Sequence, residues 1–132
     1  MSFSFLKGHK ESITCLLNHP KGLFSGSEDK TVRLWDIRCS RATKCITGDI
    51  YDEVACLSEY PQDENIICVG CDQAVFCYDL RNPGLILKTF DQCITINNDC
   101  VDKIRSFTMD GKPYLGICDD KGYNLFFSVV MG

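Results

Sequence analysis

The sequence contains no long hydrophobic run, and no segment reaches the roughly 18 consecutive apolar residues that a membrane-spanning helix requires. It also lacks an Asn-x-Ser/Thr acceptor for N-glycosylation. Its first residues, from Met1 to Lys10, lack the apolar stretch of a secretory signal. We therefore expect no membrane association and a location in the cytoplasm, the nucleus or both.

Clustered positive charge is missing as well. The chain has 14 Lys and Arg against 18 Asp and Glu, a formal net charge of -4, and its basic residues are scattered. Binding to nucleic acid or to an anionic membrane rewards clustered Lys and Arg, so neither is an expected partner. Phosphate-binding glycine patterns and the paired-histidine metalloprotease motif are also absent, and we expect no cofactor.

Helical periodicity is the third absence, because no apolar run keeps helical spacing over three turns. Short β-branched and aromatic runs recur instead about every 8 to 12 residues, between clusters of Gly, Pro, Asn and Asp. This pattern predicts an all-β chain. Strands are expected near residues 12–18, 22–27, 31–37, 43–47, 53–59, 65–70, 74–79, 86–90, 100–107, 113–118 and 123–130, with turns at 19–22, 61–65, 82–84 and 110–112.

A ten-residue pattern occurs twice in the chain. Residues 29–38 read DKTVRLWDIR, and residues 72–81 read DQAVFCYDLR, an offset of 43. The first copy belongs to a repeat that begins with Gly8-His9 and ends with Trp35-Asp36. A period of about 40 residues is typical of propeller blades.

Gly-His followed at this separation by Trp-Asp resembles the WD-repeat family, whose repeats form the four-stranded blades of a β-propeller. The resemblance implies a single segment of about three antiparallel blades, in repeats of about 6–47, 48–90 and 91–132. Residues 8–38 match closely. The second repeat lacks Gly-His and has Tyr78 in place of Trp, and the third is recognisable mainly from residues 114–118 and 120–126.

Three blades are too few to close a propeller, which needs about four to eight. The segment should therefore leave open sheet faces and strand edges, which are prone to aggregation unless covered. We expect further blades or a partner chain to cover them. In the family that the chain resembles, the alternating residues 2–6 would form an outer strand paired with the last blade.

His9, Asp29 and either Ser25 or Ser27 are the residue types of a hydrolase triad. The WD-repeat resemblance implies a different role for them. In WD blades a His, a Ser or Thr, an Asp and a Trp form a buried hydrogen-bonded chain, and His9, Ser25, Asp29 and Trp35 are the corresponding residues here. We therefore expect a structural network and no enzyme, because a serine hydrolase needs its own nucleophile geometry.

The second repeat keeps Asp72 but has no equivalent histidine. Its hydrogen-bonded network is therefore expected to be incomplete. We predict that this blade is held more by apolar packing of Val75, Cys77 and Tyr78 than by polar contacts.

The sequence has 10 cysteines, most of them inside apolar runs, where a reduced cysteine acts as a small buried hydrophobe. Cys68-x-x-Cys71 has the spacing of half a zinc site, which is the alternative interpretation. A closed zinc site needs four ligands, and no second ligand pair follows. We therefore predict no metal.

Two repeats end their third predicted strand with Asp-x-Arg, as Asp36-Ile37-Arg38 and Asp79-Leu80-Arg81. An arginine at the blade rim can bind a carboxylate or a carbonyl of another protein. The wider segment 23–38 resembles the box of WD proteins that dock on the damaged-DNA-binding adaptor of cullin 4 ubiquitin ligases. The resemblance implies a protein-interaction scaffold that brings a client to this adaptor. The alternatives are a scaffold or a structural subunit of a larger assembly, in either case without a link to a ligase. The arginine would then only pair with its own Asp, a contact worth about 0 to 1 kcal/mol.

Overall fold

A computed structural model describes residues 5–47, 50–72, 74–81, 86–89, 101–119 and 125–129, with residues 86–89, 119 and 125–129 described by their main chain. These residues form strands and turns and no helix, so the prediction of an all-β chain is confirmed. Each predicted strand is present, with ends within two residues of the expected ones. The strands are β1 Ile13–His19, β2 Gly22–Ser27, β3 Val32–Asp36, β4 Arg41–Ile46, β5 Val54–Tyr60, β6 Asp63–Cys71, β7 Ala74–Asp79, β8 Ile86–Thr89, β9 Val101–Met109, β10 Lys112–Asp119 and β11 Leu125–Val129.

The strands form three antiparallel sheets, which we call blades 1 to 3. Blade 1 has the order β1-β2-β3-β4, blade 2 the order β5-β6-β7-β8, and blade 3 pairs β9 with β10 and β10 with β11. Within the described residues the sheets stack in sequence order and do not close into a ring. The chain is therefore a partial propeller, as predicted. The outer strand expected at residues 2–6 lies outside the described residues, except for Phe5 and Leu6, which are not in a strand.

Several turns take the backbone shapes that their residues favour. Asp110 and Gly111 both have positive φ, 52° and 76°, the combination that a two-residue hairpin requires. Gln62 has a φ of 64° between β5 and β6, and β6 starts at Asp63, before the end of the predicted 61–65 turn. The predicted turn at 82–84 lies outside the described residues.

The three blades share an irregularity near the start of their first strands. In each blade one extra residue of the first strand interrupts the regular pairing with the second strand, as in a β-bulge. The interrupted steps lie at Ile13/Cys15 in blade 1, Val54/Cys56 in blade 2 and Val101/Lys103 in blade 3. Because the interruption marks the same point in each blade, Cys15, Cys56 and Lys103 are equivalent positions.

A glycine in the second strand lets one blade pack closely on the next. A β-carbon at Gly26 would lie 2.5 Å from Cγ1 of Val54 in blade 2. At the equivalent Gly70, a β-carbon would lie 3.1 Å from Cγ1 of Val101 in blade 3 and closer still to Cys56. Both glycines pair with the residue that follows the bulge, so the same device recurs at both blade contacts.

Two apolar clusters fill the spaces between the blades. Blade 2 lies in the middle, so its strands β6 and β7 are buried on both faces, and this explains their nearly continuous apolar sequence. Val75, Cys77 and Tyr78, predicted to hold this blade, are all buried. The cluster between blades 1 and 2 includes Phe24, Val32, Leu34, Val54, Ile67, Val69, Phe76 and Tyr78, and that between blades 2 and 3 includes Cys56, Cys68, Val75, Cys77, Val101, Ile104, Leu115 and Ile117.

The free face of blade 1 exposes apolar side chains. Ile13 is 52% exposed and Leu16 is 64% exposed. Their counterparts Val54 and Leu57 in blade 2 are buried against blade 1. The first blade therefore keeps apolar residues at positions that a preceding blade would cover.

Among the described residues, none forms a helix of the length and hydrophobicity that crossing a bilayer requires.

We predict that Gly26→Ala destabilises the protein by about 1 to 3 kcal/mol, because the added methyl group overpacks the contact with Val54 and Cys15. Urea unfolding measures this loss as a lower midpoint concentration with an unchanged m-value. Gly116→Ala is the matched control, since its new methyl group would lie 3.3 Å from Cε1 of Phe107 and 3.7 Å from the carbonyl oxygen of Arg105, with no contact below 3 Å. Equal stability of the Gly26 variant and the wild type would show that the blades do not meet at this glycine.

Candidate functional site

Four side chains of blade 1 form a continuous hydrogen-bonded chain. Nε1 of Trp35 donates to Oγ of Ser25 at 2.7 Å. Oγ of Ser25 lies 2.6 Å from Nε2 of His9, and Nδ1 of His9 lies 2.9 Å from Oδ2 of Asp29. Because Oγ of Ser25 accepts from Trp35, its own hydrogen is available for Nε2 of His9, and Nδ1–H of His9 can donate to Asp29. The structure thus brings together the four residues that the family resemblance implied.

Local structure places each member of this chain. Ser25 lies in the middle of β2, Trp35 in β3, and Asp29 in the turn between them. His9 comes from the segment before β1, where Gly8 precedes it. A β-carbon at Gly8 would lie 3.0 Å from Cη2 of Trp35, so the glycine lets this segment pass close to the indole. This contact explains the pairing of Gly with His in the sequence.

Ser27, the alternative serine, has a different role. Its hydroxyl donates to the carbonyl of Ser12 at 2.9 Å and accepts the backbone N–H of Asp29 at 3.0 Å. It thus fixes the turn that carries Asp29. In the part of the chain that the structure describes, the Ser27 hydroxyl makes no hydrogen bond to His9.

The carboxylate of Asp29 is the most strongly bonded acid of blade 1. Burial raises its pKa, but hydrogen bonds from the Thr31 hydroxyl, from the Lys10 backbone N–H and from His9 outweigh burial and hold the pKa well below its ordinary value. The Lys10 bond is 3.0 Å long, and the Thr31 backbone N–H also donates to this carboxylate at 3.0 Å. Asp29 therefore stays ionised near neutral pH and accepts a hydrogen bond from each of these neighbours.

Ser25, His9 and Asp29 lie at the distances of a hydrolase triad, but a substrate cannot reach them as it reaches such a triad. Ser25 is buried, and the side chain of His9 is nearly as inaccessible. The Ser25 oxygen also accepts from Trp35, so one of its acceptor sites is already used. A substrate carbonyl could reach this oxygen only after blade 1 opened locally, which favours a structural role.

Blade 2 replaces most of this polar chain with apolar residues. Counting from the shared bulge and the shared glycine, His9 corresponds to Ile50, Ser25 to Val69, and Trp35 to Tyr78, all buried in blade 2. Asp72 is kept, and it accepts a hydrogen bond from the hydroxyl of Tyr51 at 3.2 Å. That bond contributes to a pKa for Tyr51 of about 12, after burial as the main cause. The sequence motif did not indicate Tyr51 as a contact of this aspartate.

The cysteines of the proposed half zinc site turn to different neighbours. Sγ of Cys68 lies 3.5 Å from Sγ of Cys77 on the adjacent strand, and the thiol of Cys71 donates to the carbonyl of Asp52 at 3.3 Å. The Cys77 bond and burial raise the pKa of Cys68, and burial raises that of Cys71 to about 11. Within the described ranges, no three His, Cys, Asp or Glu side chains are grouped as metal ligands. These thiols therefore fill the core in protonated form.

Both Asp-x-Arg segments lie at the ends of equivalent strands, β3 and β7. Arg38 and Arg81 each donate their backbone N–H to the preceding Asp, at 2.9 Å in both blades. The side-chain pairing differs. Arg81 binds Asp79 through both Nε at 2.9 Å and Nη2 at 2.7 Å, whereas Arg38 reaches Asp36 only through Nε at 3.4 Å.

The two charged pairs also differ in their electrostatics. Hydrogen bonds from the Arg81 side chain lower the pKa of Asp79 to about 2, and the pKa of Asp36 is lowered mainly by the Arg38 backbone N–H. The Arg38 side chain is 93% exposed, and that of Arg81 is 66% exposed. Arg38 is thus held loosely and Arg81 firmly.

A depression of about 300 Å³ lies beside Arg38. The β1–β2 turn supplies one wall, with Pro20 and Lys21, and the exposed side chain of Ile37 lies on the other. The sequence pattern did not point to Pro20, Lys21 or Ile37, because turn residues with an exposed hydrophobe carry no motif. At the neighbouring blade, Nζ of Lys44 donates to the carbonyl of Leu80 and links the two rims.

Comparison with known proteins gives a consistent result. Residues 2–36 match the family model "WD domain, G-beta repeat". The chain is also 32% identical over 127 residues, 94% of its length, to WD repeat-containing protein 53 homolog of Dictyostelium discoideum. The chain is a WD-repeat protein. The sequence resemblance to this family is therefore confirmed.

Other WD-repeat relatives have different names. The chain is 37% identical over 70% of its length to nuclear distribution protein nudF 2 of Talaromyces marneffei, and 30% identical over 70% of its length to ribosome biogenesis protein YTM1 of Ajellomyces capsulatus. It spans 33% of the Dictyostelium protein, 20% of nudF 2 and 19% of YTM1. The shared feature is the repeat, and the diversity of names means that the repeat alone does not fix a pathway.

We predict that Ser25→Ala lowers the free energy of unfolding by about 2 to 3 kcal/mol, because it leaves the Trp35 N–H and His9 Nε2 buried without their partner. Chemical denaturation monitored by Trp35 fluorescence measures the change. Ser58→Ala in blade 2 is the control, since that hydroxyl bonds only to the carbonyl of Glu59 in the described structure and should lose about 1 kcal/mol or less. A Ser25 variant no less stable than the Ser58 variant would refute the structural network.

Proposed function

We propose that this WD-repeat protein is a protein-interaction scaffold whose blade rim binds an adaptor protein through Arg38 and Arg81. The observation that carries this proposal is the pair of arginines that follow equivalent strands of two stacked blades. Each backbone is fixed by the Asp two residues earlier, while the guanidinium remains exposed. A fixed backbone with an exposed planar donor group suits recognition of a carboxylate or carbonyl.

The surroundings of Arg38 support a protein partner over a small ligand. The depression beside it is shallow and combines the apolar Ile37 and Pro20 with the cationic Lys21. Protein interfaces commonly join an apolar centre to an arginine at which binding energy concentrates. Arg38 is the better candidate for this role, because Arg81 would first have to give up its two-point contact with Asp79.

The adaptor that we propose is the damaged-DNA-binding subunit of cullin 4 ubiquitin ligases, and the protein would present a client to that ligase. The support is the match of segment 23–38 to the box of WD proteins that dock there, ending in Asp36 and Arg38. No chemistry would occur on this chain. A rigid sheet stack would hold two proteins in register, so that modification follows from proximity. A cytoplasmic or nuclear location belongs to the same proposal.

The free face of blade 1 favours additional blades as part of the working scaffold. Exposed Ile13 and Leu16 stand where Val54 and Leu57 are covered by the blade before them. We propose that a blade from another chain or from a longer form of this protein covers them. The repeats at about 6–47, 48–90 and 91–132 would then be consecutive units of one stack that starts with the covering blade.

We predict that Arg38→Ala lowers capture of the purified cullin 4 adaptor by about tenfold or more, as removal of a central interface arginine does. Arg81→Ala should have a smaller effect, because Asp79 already binds that side chain. Biolayer interferometry with immobilised adaptor measures the dissociation constants of both variants. The control is Lys7→Ala, which removes an exposed positive charge outside the rim.

Two results would reject this assignment. Undiminished adaptor binding by the Arg38 variant would remove the residue from the interface. Failure of the wild-type chain to bind the adaptor at all would reject the ligase role and leave a scaffold with another partner.

A further inference from the structure

We propose that the free face of blade 3 is a docking surface for an acidic, extended polypeptide segment, and that it does not accept a further blade of the same kind. This surface is separate from the arginines of the Asp-x-Arg rims. It is formed by alternate residues of β9 together with Tyr114 of β10, and we call it the blade 3 face: Lys103, Arg105, Phe107, Met109 and Tyr114.

Comparison of equivalent positions shows how the blade 3 face departs from the repeat. Lys103 occupies the position of Cys15 and Cys56, one residue past the bulge. Cys15 packs against the core between blades 1 and 2, and Cys56 is buried in the core between blades 2 and 3. Lys103 is exposed. A cation thus stands where two blades have a small apolar side chain.

The next position on the same face, residue 105, also has a positively charged side chain in place of an uncharged one. Arg105 is equivalent to Leu17, which packs against the first core, and to Ser58, which is buried. In blade 3 the arginine is exposed. A further blade packed here in the same manner would bury two cations, and burial of an unpaired charge is strongly unfavourable. The face therefore suits either water or a partner that supplies carboxylates.

The glycine of the blade contact is also lost. Gly26 and Gly70 admit the first strand of the next blade, and the equivalent residue of β10 is Cys118. A side chain at this position would overlap an incoming strand in the geometry of the other two contacts. This difference is independent of charge, and it also argues against a blade as the occupant.

An aromatic platform adjoins the two cations. The rings of Phe107 and Tyr114 stack with centroids 5.2 Å apart and planes 10° apart. Phe107 also lies over Gly116, with its Cε1 atom 3.3 Å from where a β-carbon would stand. Phe107 is 38% exposed and Met109 is 59% exposed, so the platform is open to a partner. Exposed aromatic and methionine side chains beside arginine are typical of protein interfaces.

The spacing of these residues defines the chemistry of the occupant. Alternate residues of a strand lie on one face about 6.8 Å apart. An extended segment with two carboxylates at the same spacing would pair with Lys103 and Arg105, and an apolar residue beyond them would meet Phe107. Two cations are too few to offset the overall charge of -4 toward a nucleic acid backbone, so a polypeptide is the favoured class.

The test uses the whole chain and a fluorescein-labelled ten-residue peptide of alternating aspartate and threonine with one central leucine. Fluorescence anisotropy should show saturable binding that weakens as salt is raised, because the cations are exposed. Lys103→Glu with Arg105→Glu should raise the dissociation constant at least tenfold. The matched control is Lys7→Glu with Arg41→Glu, the same change of charge on exposed residues of blade 1, and it should bind like the wild type.

Several outcomes would overturn the proposal. They are equal loss in the two double variants, equal binding of a peptide with lysine in place of aspartate, tighter binding of a ten-nucleotide single-stranded DNA, or no saturable binding. Circular dichroism checks that each variant keeps its strands. If the glutamate pair does not fold, Lys103→Gln with Arg105→Gln takes its place, and undiminished binding by that pair would also overturn the proposal.

Discussion

Close approach of successive blades over a glycine is the constraint on which the rest of the structure depends. At Gly26 and at Gly70 the missing side chain leaves room for a valine of the next blade, Val54 or Val101. With this contact in place, the facing strands of two adjacent blades enclose one apolar cluster. Neither sheet could bury its apolar face alone. The fold is therefore a property of neighbouring blades and not of one repeat.

Stacking also determines where the polar groups of the molecule can act. In blade 1, whose outer side lacks a neighbour among the described blades, the buried polar chain from Trp35 to Asp29 ties the strands and the leading segment together. Blade 2 is covered on both sides, and there Ile50 and Val69 replace His9 and Ser25. The polar ties of blade 1 are thus replaced by apolar packing at the equivalent positions of blade 2. The rim arginines follow from the same stacking, because equivalent strand ends of adjacent blades lie side by side.

Most of the fold could be predicted from the sequence, because alternation and turn residues are local signals. They gave the position of each strand, and the Gly-His and Trp-Asp pairs of the first repeat gave the family. The members of the polar chain were also predictable, by resemblance. What remained hidden depends on register. A one-residue bulge makes Lys103 equivalent to Cys56, and no linear offset between the repeats shows this. The contact of Tyr51 with Asp72, and the looser hold on Arg38 than on Arg81, likewise arise from side-chain geometry that composition does not encode.

The most direct test of this account is a nuclear Overhauser experiment between blades on isotope-labelled protein. If glycine admits the next blade, a methyl group of Val54 must lie within a few ångströms of the α-protons of Gly26, and a methyl group of Val101 equally close to those of Gly70. We predict strong cross-peaks for both pairs. Absence of both cross-peaks, in a spectrum that shows the expected contacts between β1 and β2, would mean that the sheets form without stacking and would contradict the account.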